Sequence, residues 1–583
     1  MFLSRLHRDK SWLTGSFKTT TCPEIFRDRN IGAHKVFPLR NLILISKSRD
    51  FRLFGQPLLD SQPFPPIIED SPNDTPVLNL QRTSSFFNHC LAILFTSITL
   101  VLPVFSQSQN RTQEIPENTS VNRTAAEWEP ALGTLIIWPL AIPYKLAVEL
   151  AKDNHLYTLV NDESARKEAA QWYKTWGIDS SRNTFLVVPQ GIDASWTRDW
   201  GPAAVFPPKG KMMLADPKYI FATPVSSQKC SDSLFFIYGM ENGQPVKTQT
   251  DDDATVHLGK TLGFPVLDLP FISTGGNVLT DGAGTAFSSC ILLNENQYFG
   301  VSEESFRKMS REKLGFQSYH ILPNFERRGI QHVDCFMKLL DQERILVAEP
   351  PKDHDLYPLY DSIVRFHLMK LKSGFGKPYE ILRIKTNRYN EDKLAAYTNS
   401  LILNKTIYVP LFRIKEDSQA LETYRRAMPG YTVKGFYFDL KDEPYASKEL
   451  VDHYKEYGWN FGDALHCRTR AIWDPDMLLI QVQRLPARMK PSEKKEVIAR
   501  ITDYSLKGLE AGKTLLKWRV IGQKDWHSVP MKVSKVRFHY YAEIPSVPKG
   551  TEVEYFVEAR SFSGRMESMP RTAPTGTYSL IIR

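Results

Sequence analysis

Five stretches of this chain read as strand, turn, strand, and they recur at intervals of about 55 to 80 residues. They begin at Arg198 (RDWGPAAVFPPKGKMMLADP), Gly275 (GGNVLTDGAGTAFSSCILLNEN), His332 (HVDCFMKLLDQERILVAEPP), Tyr397 (YTNSLILNKTIYVPLF) and Leu465 (LHCRTRAIWDPDMLLIQVQ). Polar groups stand at the start of every first strand: Asp199, Asn277, His332 with Asp334, Asn399, and His466 with Cys467. A unit this small cannot bury its apolar face alone, so repeated units pack on one another. Five of them, each opening on groups able to do chemistry, predict a ring in which the strand starts converge on one axial site. Ordinary hairpin statistics are the bland alternative.

Between Glu127 and about Gln483, β-rich runs alternate with helical spacing. GTLIIWPL, NTFLVVPQ, RILVAEPP and TIYVPLF are expected strands. IPYKLAVELAKDNHL, SARKEAAQWYKTWG, DSQALETYRRAMPG and ELVDHYKEYGW are expected helices, several ending near Gly. After RLPARMKPSEKK the helical signal fades, and EVIARITDYS, TLLKWRVIG, VRFHYYAEIP, TEVEYFVEAR and TYSLIIR alternate apolar with polar residues. The expected architecture is α/β, with a five-bladed α/β ring over residues 126–484. A small β-sandwich of immunoglobulin-like type follows at 485–583. That last segment has no cysteine pair with an intervening Trp, and its expected job is packing or attachment.

Residues 1–125 differ from the rest. Positions 1–85 are rich in Pro, Ser and Arg with weak periodicity, so a disordered leader is expected. The apolar run CLAILFTSITLVLPVF, Cys90 to Phe105, is short for a membrane span and the right length for a signal h-region. Sequons follow at Asn110, Asn118 and Asn122, with another at Asn404. Together they predict a secreted glycoprotein, or one anchored by the 90–105 segment. Membrane contact is expected only through such a signal anchor. Residues 1–85 would then belong to the anchor's cytoplasmic side or lie upstream of the true start.

The charge of +9 raises the question of a polyanion partner. From Arg484 onward about 19 Lys/Arg face about 10 Asp/Glu, so the excess sits in the C-terminal segment. No dense basic run or nucleic-acid motif accompanies it, and a solvated surface is the reading; no nucleic-acid partner is expected. Six cysteines without a CxxC pair exclude a disulfide scaffold and leave room for one or two bridges. A composition of 42% hydrophobic residues is enough apolar surface to exclude general disorder.

A cysteine attacks only as a thiolate, which nearby positive charge favours. His466, Arg468 and Arg470 flank Cys467, but strand alternation would turn its immediate neighbours to the opposite face. Taken alone, Cys467 reads as a small buried hydrophobe. Company on a ring axis changes that. In WTRDWGP, Asp199 lies in a Trp-rich turn where a carboxylate with aromatic walls receives a planar cation; a local pair with Arg198 is the alternative. In HVDCFMK, alternation puts His332 and Asp334 on one face and Val333 and Cys335 on the other. The same alternation disfavours a metal held by His332, Asp334 and Cys335, because Cys335 points away; no metal and no cofactor are expected. A thiol, an imidazole and two carboxylates suit a guanidinium, whose edges two carboxylates grip while its carbon lies over sulfur. Attack would give a covalent thiouronium, with His332 protonating the departing nitrogen and later activating water.

At WTRDWGP, TGGNVLTDG, HVDCFMK and DALHCRTR the chain resembles the bacterial, Porphyromonas-type peptidylarginine deiminases, which lie near the agmatine deiminases in the guanidino-modifying superfamily. The resemblance runs from about Glu127 to Arg583. It implies the five-bladed α/β propeller called the pentein fold, followed by an immunoglobulin-like module. It also implies calcium-independent hydrolysis of peptidyl-arginine to peptidyl-citrulline and ammonia. Carried over, Cys467 is the nucleophile, His332 the general acid and base, and Asp199 and Asp334 the guanidinium-holding carboxylates. Trp196 and Asn277 match substrate-pocket positions. The chain departs from the family where an Arg-Pro-Arg stretch clamps a C-terminal carboxylate: Phe221 and Thr223 align there, with Lys218 nearby. Preference for a C-terminal arginine is therefore open.

The expected partner is an arginine-containing peptide or protein, or a small guanidine; oligomeric state is not legible. A free-arginine or agmatine deiminase is the neighbouring reading, and an inactive secreted binding module the reading of another class. A cysteine protease has no need of two aspartates that grip a cation.

Overall fold

A computed structural model describes residues 121–583 apart from 190, 192–194, 220–239, 242–243, 246–248, 327–329, 391–392, 447, 449–457 and 460–461. The leader, its apolar run, Asn110 and Asn118, and the expected helix ELVDHYKEYGW over most of its length lie outside the described residues. Among the described residues no helix is long and apolar enough to cross a membrane.

Beside a two-stranded pair, Met240–Glu241 with Gln244–Pro245, the N-terminal three-quarters of this region form a mixed α/β fold built from five small sheets of three or four strands. Each sheet pairs two strands antiparallel and adds a third parallel to the second. Leu279–Thr280, Thr285–Ser289 and Ser318–Leu322 follow this order, as do Met337–Leu339, Arg344–Glu349 and Glu380–Lys385. So do Leu401–Leu403, Thr406–Pro410 and Thr432–Phe436, and likewise Ala203–Phe206, Met213–Lys218 and Val266–Ile272. A tight turn suffices for the antiparallel step, whereas the parallel step needs a crossover, commonly a helix.

The crossover helices bury one stripe. In Tyr144–Asp153 the buried residues are Leu146, Ala147, Leu150 and Ala151, a spacing that keeps them on one face. Glu163–Thr175 begins where the Asp162 carboxylate accepts the Ala165 amide at 2.8 Å, satisfying a donor the first turn leaves open. The expected helices at 142–156, 164–177 and 417–430 and the expected strands all occur within a few residues of their predicted limits.

The fifth sheet joins the two ends of the α/β region. Arg470–Trp473 runs antiparallel to Ala131–Ile137, which is parallel to His155–Val160, itself parallel to Asn183–Val187. Here the last expected hairpin is corrected. Its second strand, Leu478–Gln483, pairs with Glu496–Asp503 in the C-terminal region instead. Pro475 and the acidic pair beside it break the run after Trp473, and the apolar core of the α/β region stops at Met477 while a separate core starts at Leu478.

From Leu478 onward the chain is β-rich. Leu478–Gln483, Glu496–Asp503, His539–Glu543 and Lys532–Val533 form one sheet; Tyr578–Ile582, Glu552–Arg560, Leu515–Val520 and shorter strands form another. Val497, Ala499 and Ile501 from the first and Leu516, Tyr555, Val557 and Leu580 from the second share one core, the inward half of a period-two pattern. This region is tied to the α/β region by the Arg565–Asp474 bidentate pair at 2.6 and 2.7 Å and by Tyr504, whose hydroxyl accepts from Arg123 at 3.0 Å.

Two sequons fall on described residues. The Asn122 amide donates to the Lys313 carbonyl at 2.7 Å, and the Asn404 amide donates to Asn154 and to the Ala131 carbonyl at 2.7 and 3.1 Å. A glycan leaves one N–H on the side-chain nitrogen, so Asn404 could not keep both of its bonds if it carried one.

Candidate active site

The polar residues that open each hairpin do not lie on its first strand. Each sits in a single helical turn just before it, closed by a backbone bond to the residue three positions earlier. These bonds are Asp199 to Trp196 at 2.9 Å, Asn277 to Thr274 at 2.9 Å, Cys335 to His332 at 3.0 Å, Asn399 to Ala396 at 2.9 Å and Arg468 to Leu465 at 3.2 Å. Strand alternation therefore does not govern these side chains, and two expectations based on it are corrected. Cys335 does not point away: its sulfur lies 3.5 Å from Asp334 Oδ1 and 3.5 Å from Asn399 Nδ2. His466 is not turned to the opposite face from the site, for its Nδ1 lies 2.7 Å from Asp334 Oδ2.

Asp199, His332 and Asp334 meet at Gly276. A β-carbon on that glycine would stand 2.7 Å from Asp199 Oδ1, 3.0 Å from His332 Nδ1 and 3.2 Å from Asp334 Oδ2. Glycine is required there because three functional groups crowd its α-carbon. Its amide donates to Asp199 Oδ1 at 3.0 Å, and the same oxygen lies 3.6 Å from His332 Nδ1. Cys467 completes the group, with Sγ 3.8 Å from Asp334 Oδ2. Arg198 does not take the local-pair role considered for it; its Nε donates to the His466 carbonyl at 3.2 Å.

The other expected residues make the following contacts. Asn277 is fully buried and its Oδ1 accepts the Ser289 and Val333 amides at 2.9 and 3.2 Å, joining two of the turns. Trp196 donates from Nε1 to Asp463 at 3.0 Å. Arg468 is drawn to that same carboxylate, and Arg470 Nε donates to the Pro202 carbonyl at 2.7 Å, so both flanking guanidinium groups are committed elsewhere. Phe221 and Thr223 lie outside the described residues; Lys218 pairs with Asp268 at 3.3 Å on the surface.

Two residues with no assigned role organise the site. Asn399 Oδ1 accepts the amides of Ala464, His466 and Cys467 at 3.0, 3.0 and 3.2 Å, while Nδ2 donates to Cys467 Sγ at 3.1 Å. Glu127 Oε2 lies 2.5 Å from His466 Nε2, and both its oxygens accept from buried Lys338 at 3.0 Å. His466 thus bridges Glu127 and Asp334. Two contacts between ring nitrogens and carboxylates need one proton each, and a neutral imidazole supplies one. The Glu127–His466–Asp334 chain therefore holds a second proton, although burial and the neighbouring Arg198 pull the His466 pKa below its ordinary value.

Burial and unlike neighbours set the charges. Burial pushes the Asp199 carboxyl up to about 6, with nearby Asp334 adding to the rise and His332 opposing it. Asp334 is equally buried, yet its hydrogen bond from His466 and the neighbouring cations hold it below the usual carboxylate range. The Cys467 thiol is pushed up to about 11: contact with Cys335 favours the thiolate, and burial with Asp334 and Asp199 outweighs it. At rest the site has a surplus of carboxylates around a protonated sulfur, an arrangement that accepts a cation and becomes more nucleophilic when one arrives.

A mixed α/β fold whose helical turns carry an acid pair, an imidazole and a thiol to one buried point is the arrangement of a guanidino-group deiminase. The chain belongs to the Porphyromonas-type peptidyl-arginine deiminase family, whose sequence profile matches residues 123–439. Asp199, Asn277, His332 and Asp334 fall inside that match, and Cys467 follows it. A "Putative agmatine deiminase" of Selenomonas ruminantium is 24% identical over 392 residues, covering 60% of this chain and 94% of its own. Another, from Streptomyces coelicolor, is 23% identical over 333 residues, covering 53% and 92%. Among solved structures, the putative arginine deiminase from Porphyromonas gingivalis is 19% identical with a TM-score of 0.46, covering 61% of this chain and 99% of its own. The agmatine deiminase of Enterococcus faecalis is 16% identical with a TM-score of 0.47, covering 61% and 96%.

Proposed function

We propose that the protein hydrolyses the guanidinium of peptidyl-arginine to peptidyl-citrulline and ammonia, with Cys467 as nucleophile. The observation that carries this reading is the convergence of Asp199, His332 and Asp334 on Gly276, with the Cys467 sulfur 3.8 Å from Asp334. Asp199 and Asp334 take opposite edges of the cation, and its charge favours the thiolate. The Cys467 proton passes to His332 as sulfur bonds to the guanidinium carbon; the tetrahedral adduct collapses as His332 gives that proton to one terminal nitrogen, which leaves as ammonia. Water, deprotonated by His332, then adds to the thiouronium carbon, and the carbon–sulfur bond breaks to release a neutral ureido product. Loss of charge weakens the hold of both aspartates, so reaction favours release.

In this reading the five sheets are the blades of a propeller, supported by their common strand order, and the last two sheets an immunoglobulin-like sandwich, supported by their shared alternating core. The enzyme acts outside the cytosol: Cys290 is disulfide-bonded, which suits an oxidising compartment, and the signal-like run precedes the fold. Agmatine is the second candidate substrate, because the curated relatives carry that name.

Purified enzyme incubated with an internal-arginine peptide, a C-terminal-arginine peptide, free arginine and agmatine distinguishes these readings through ammonia and ureido product. Turnover of a peptide supports the proposal, turnover of agmatine alone transfers it to the second substrate, and no turnover of any leaves a binding module.

A further inference from the structure

The mechanism above uses one of two thiols at the site. Cys335 is buried beside Cys467, and one atom each from Asp334, Cys335 and Cys467 lies within 4.8 Å of the others. No bond made or broken in the deimination involves the second sulfur, whose contact only favours the Cys467 thiolate.

The spacing has a chemical meaning. A tetrahedral ion about 2.3 Å from sulfur and about 2.1 Å from oxygen separates a sulfur from an oxygen ligand by about 3.6 Å. Asp334 Oδ1 lies 3.5 Å from Cys335 Sγ and its other oxygen, Oδ2, 3.8 Å from Cys467 Sγ, so each sulfur stands at ligand spacing from one edge of the same carboxylate. Supporting groups are also present. Asn399 Nδ2 points at both sulfurs, at 3.1 and 3.5 Å, as amide donors do around metal-bound thiolates. His466 holds one Asp334 oxygen at 2.7 Å, the carboxylate–histidine pairing that orients an oxygen ligand.

We infer that Asp334, Cys335 and Cys467 form a site for a soft divalent cation of the zinc type, whose occupancy switches the deiminase off. Two sulfurs with one carboxylate select zinc-like ions over calcium or magnesium, which take oxygen ligands. Three protein donors leave the fourth tetrahedral position to water. The ion would occupy the Cys467 sulfur and an Asp334 oxygen, the atoms that must attack and grip the guanidinium. Metal and substrate therefore exclude each other. The metal site is the same whichever guanidine the enzyme accepts.

The test uses the full chain kept reduced with a phosphine. Titration with Co2+ is expected to give a near-ultraviolet thiolate-to-cobalt charge-transfer band at one equivalent, and Zn2+ to displace it. Zinc-edge X-ray absorption is expected to show two sulfur ligands with a nitrogen or oxygen shell. In metal-free buffer the turnover of the Cys335→Ala variant sets its own baseline, against which Zn2+ should inhibit it at least about tenfold less tightly than it inhibits the parent. Inhibition of the parent should be competitive with substrate. The inference is overturned if zinc shows fewer than two sulfur ligands, or if Cys335→Ala binds cobalt with unchanged affinity and band intensity. The absorption experiments read the site even in a preparation with no deiminase activity. If Cys335→Ala does not fold, the two-sulfur count on the parent decides alone.

Discussion

The side-chain amide of Asn399 holds both ends of residue 467: Nδ2 donates to Cys467 Sγ at 3.1 Å while Oδ1 accepts the Cys467 amide at 3.2 Å. One side chain thereby fixes the nucleophile's backbone and supplies a donor to its sulfur. Asn399→Ala is expected to lower kcat by about 100-fold, the usual cost of one lost donor at a reacting atom. Asn399→Asp should be worse, since it turns an acceptor toward the developing thiolate. Steady-state kinetics with circular dichroism as the control for folding would check both; an unchanged kcat in either variant contradicts the role.

The Cys467 thiol, pushed up to about 11, should be a slow nucleophile in the empty site. Alkylation by iodoacetamide is expected to rise about tenfold per pH unit from pH 7 until the thiol titrates. Guanidinium chloride at sub-denaturing concentration should move the profile to lower pH by placing positive charge near the sulfur. A profile flat from pH 7 upward would mean that the thiolate pre-exists. Cys467→Ala should lose all turnover and keep its melting temperature within a few degrees.

Asp199 gives opposite signs for activity and stability. Its carboxyl titrates at about 6, so kcat/KM for a guanidine should fall as pH drops below that value and the protonated acid loses the cation. The folded-state pKa is raised above the unfolded one, so the native state binds the proton more tightly. The stability it contributes is present below the unfolded pKa and is lost as pH rises through about 6. Asp199→Asn should therefore abolish turnover and raise stability above pH 7 by on the order of 1 kcal/mol, measured by thermal unfolding. A destabilised variant at pH 7.5 would show that the carboxylate's hydrogen bond from Gly276 outweighs its burial.

Glu127 is the acceptor for two buried groups, Lys338 and His466. Glu127→Ala leaves the lysine without its ion-pair partner and should cost about 3–5 kcal/mol in urea unfolding. Adding Lys338→Met should restore much of that, because the buried charge goes with its partner. If the double variant is no more stable than Glu127→Ala, the pair does not carry the effect.

Much of the site was legible because its residues stand at equivalent points of a repeat: Asp199, Asn277, His332, Asp334, Asn399 and Cys467 each precede a β-run. Their orientation was not. Period-two alternation holds for a strand, but the backbone makes one helical turn here, which brings Cys335 and His466 to the side of the site. Glu127 carries no local signal at all. Its partners, Lys338 and His466, are 211 and 339 positions away, and only the folded chain brings them within hydrogen-bonding distance. The partner of Leu478–Gln483 is not legible for a related reason: its alternation is the same whichever sheet recruits it, and pairing partners are a tertiary choice.

The pairing of Arg470–Trp473 with Ala131–Ile137 has a consequence for biosynthesis. A nascent chain emerging from the ribosome exposes the edge of Ala131–Ile137 long before residue 470 has been translated, and an unpaired strand edge invites association with other chains. The segment that relieves this hazard begins three residues after the nucleophile. Premature termination anywhere before it should yield insoluble fragments, so a single late step both silences a sticky edge and arms the sulfur.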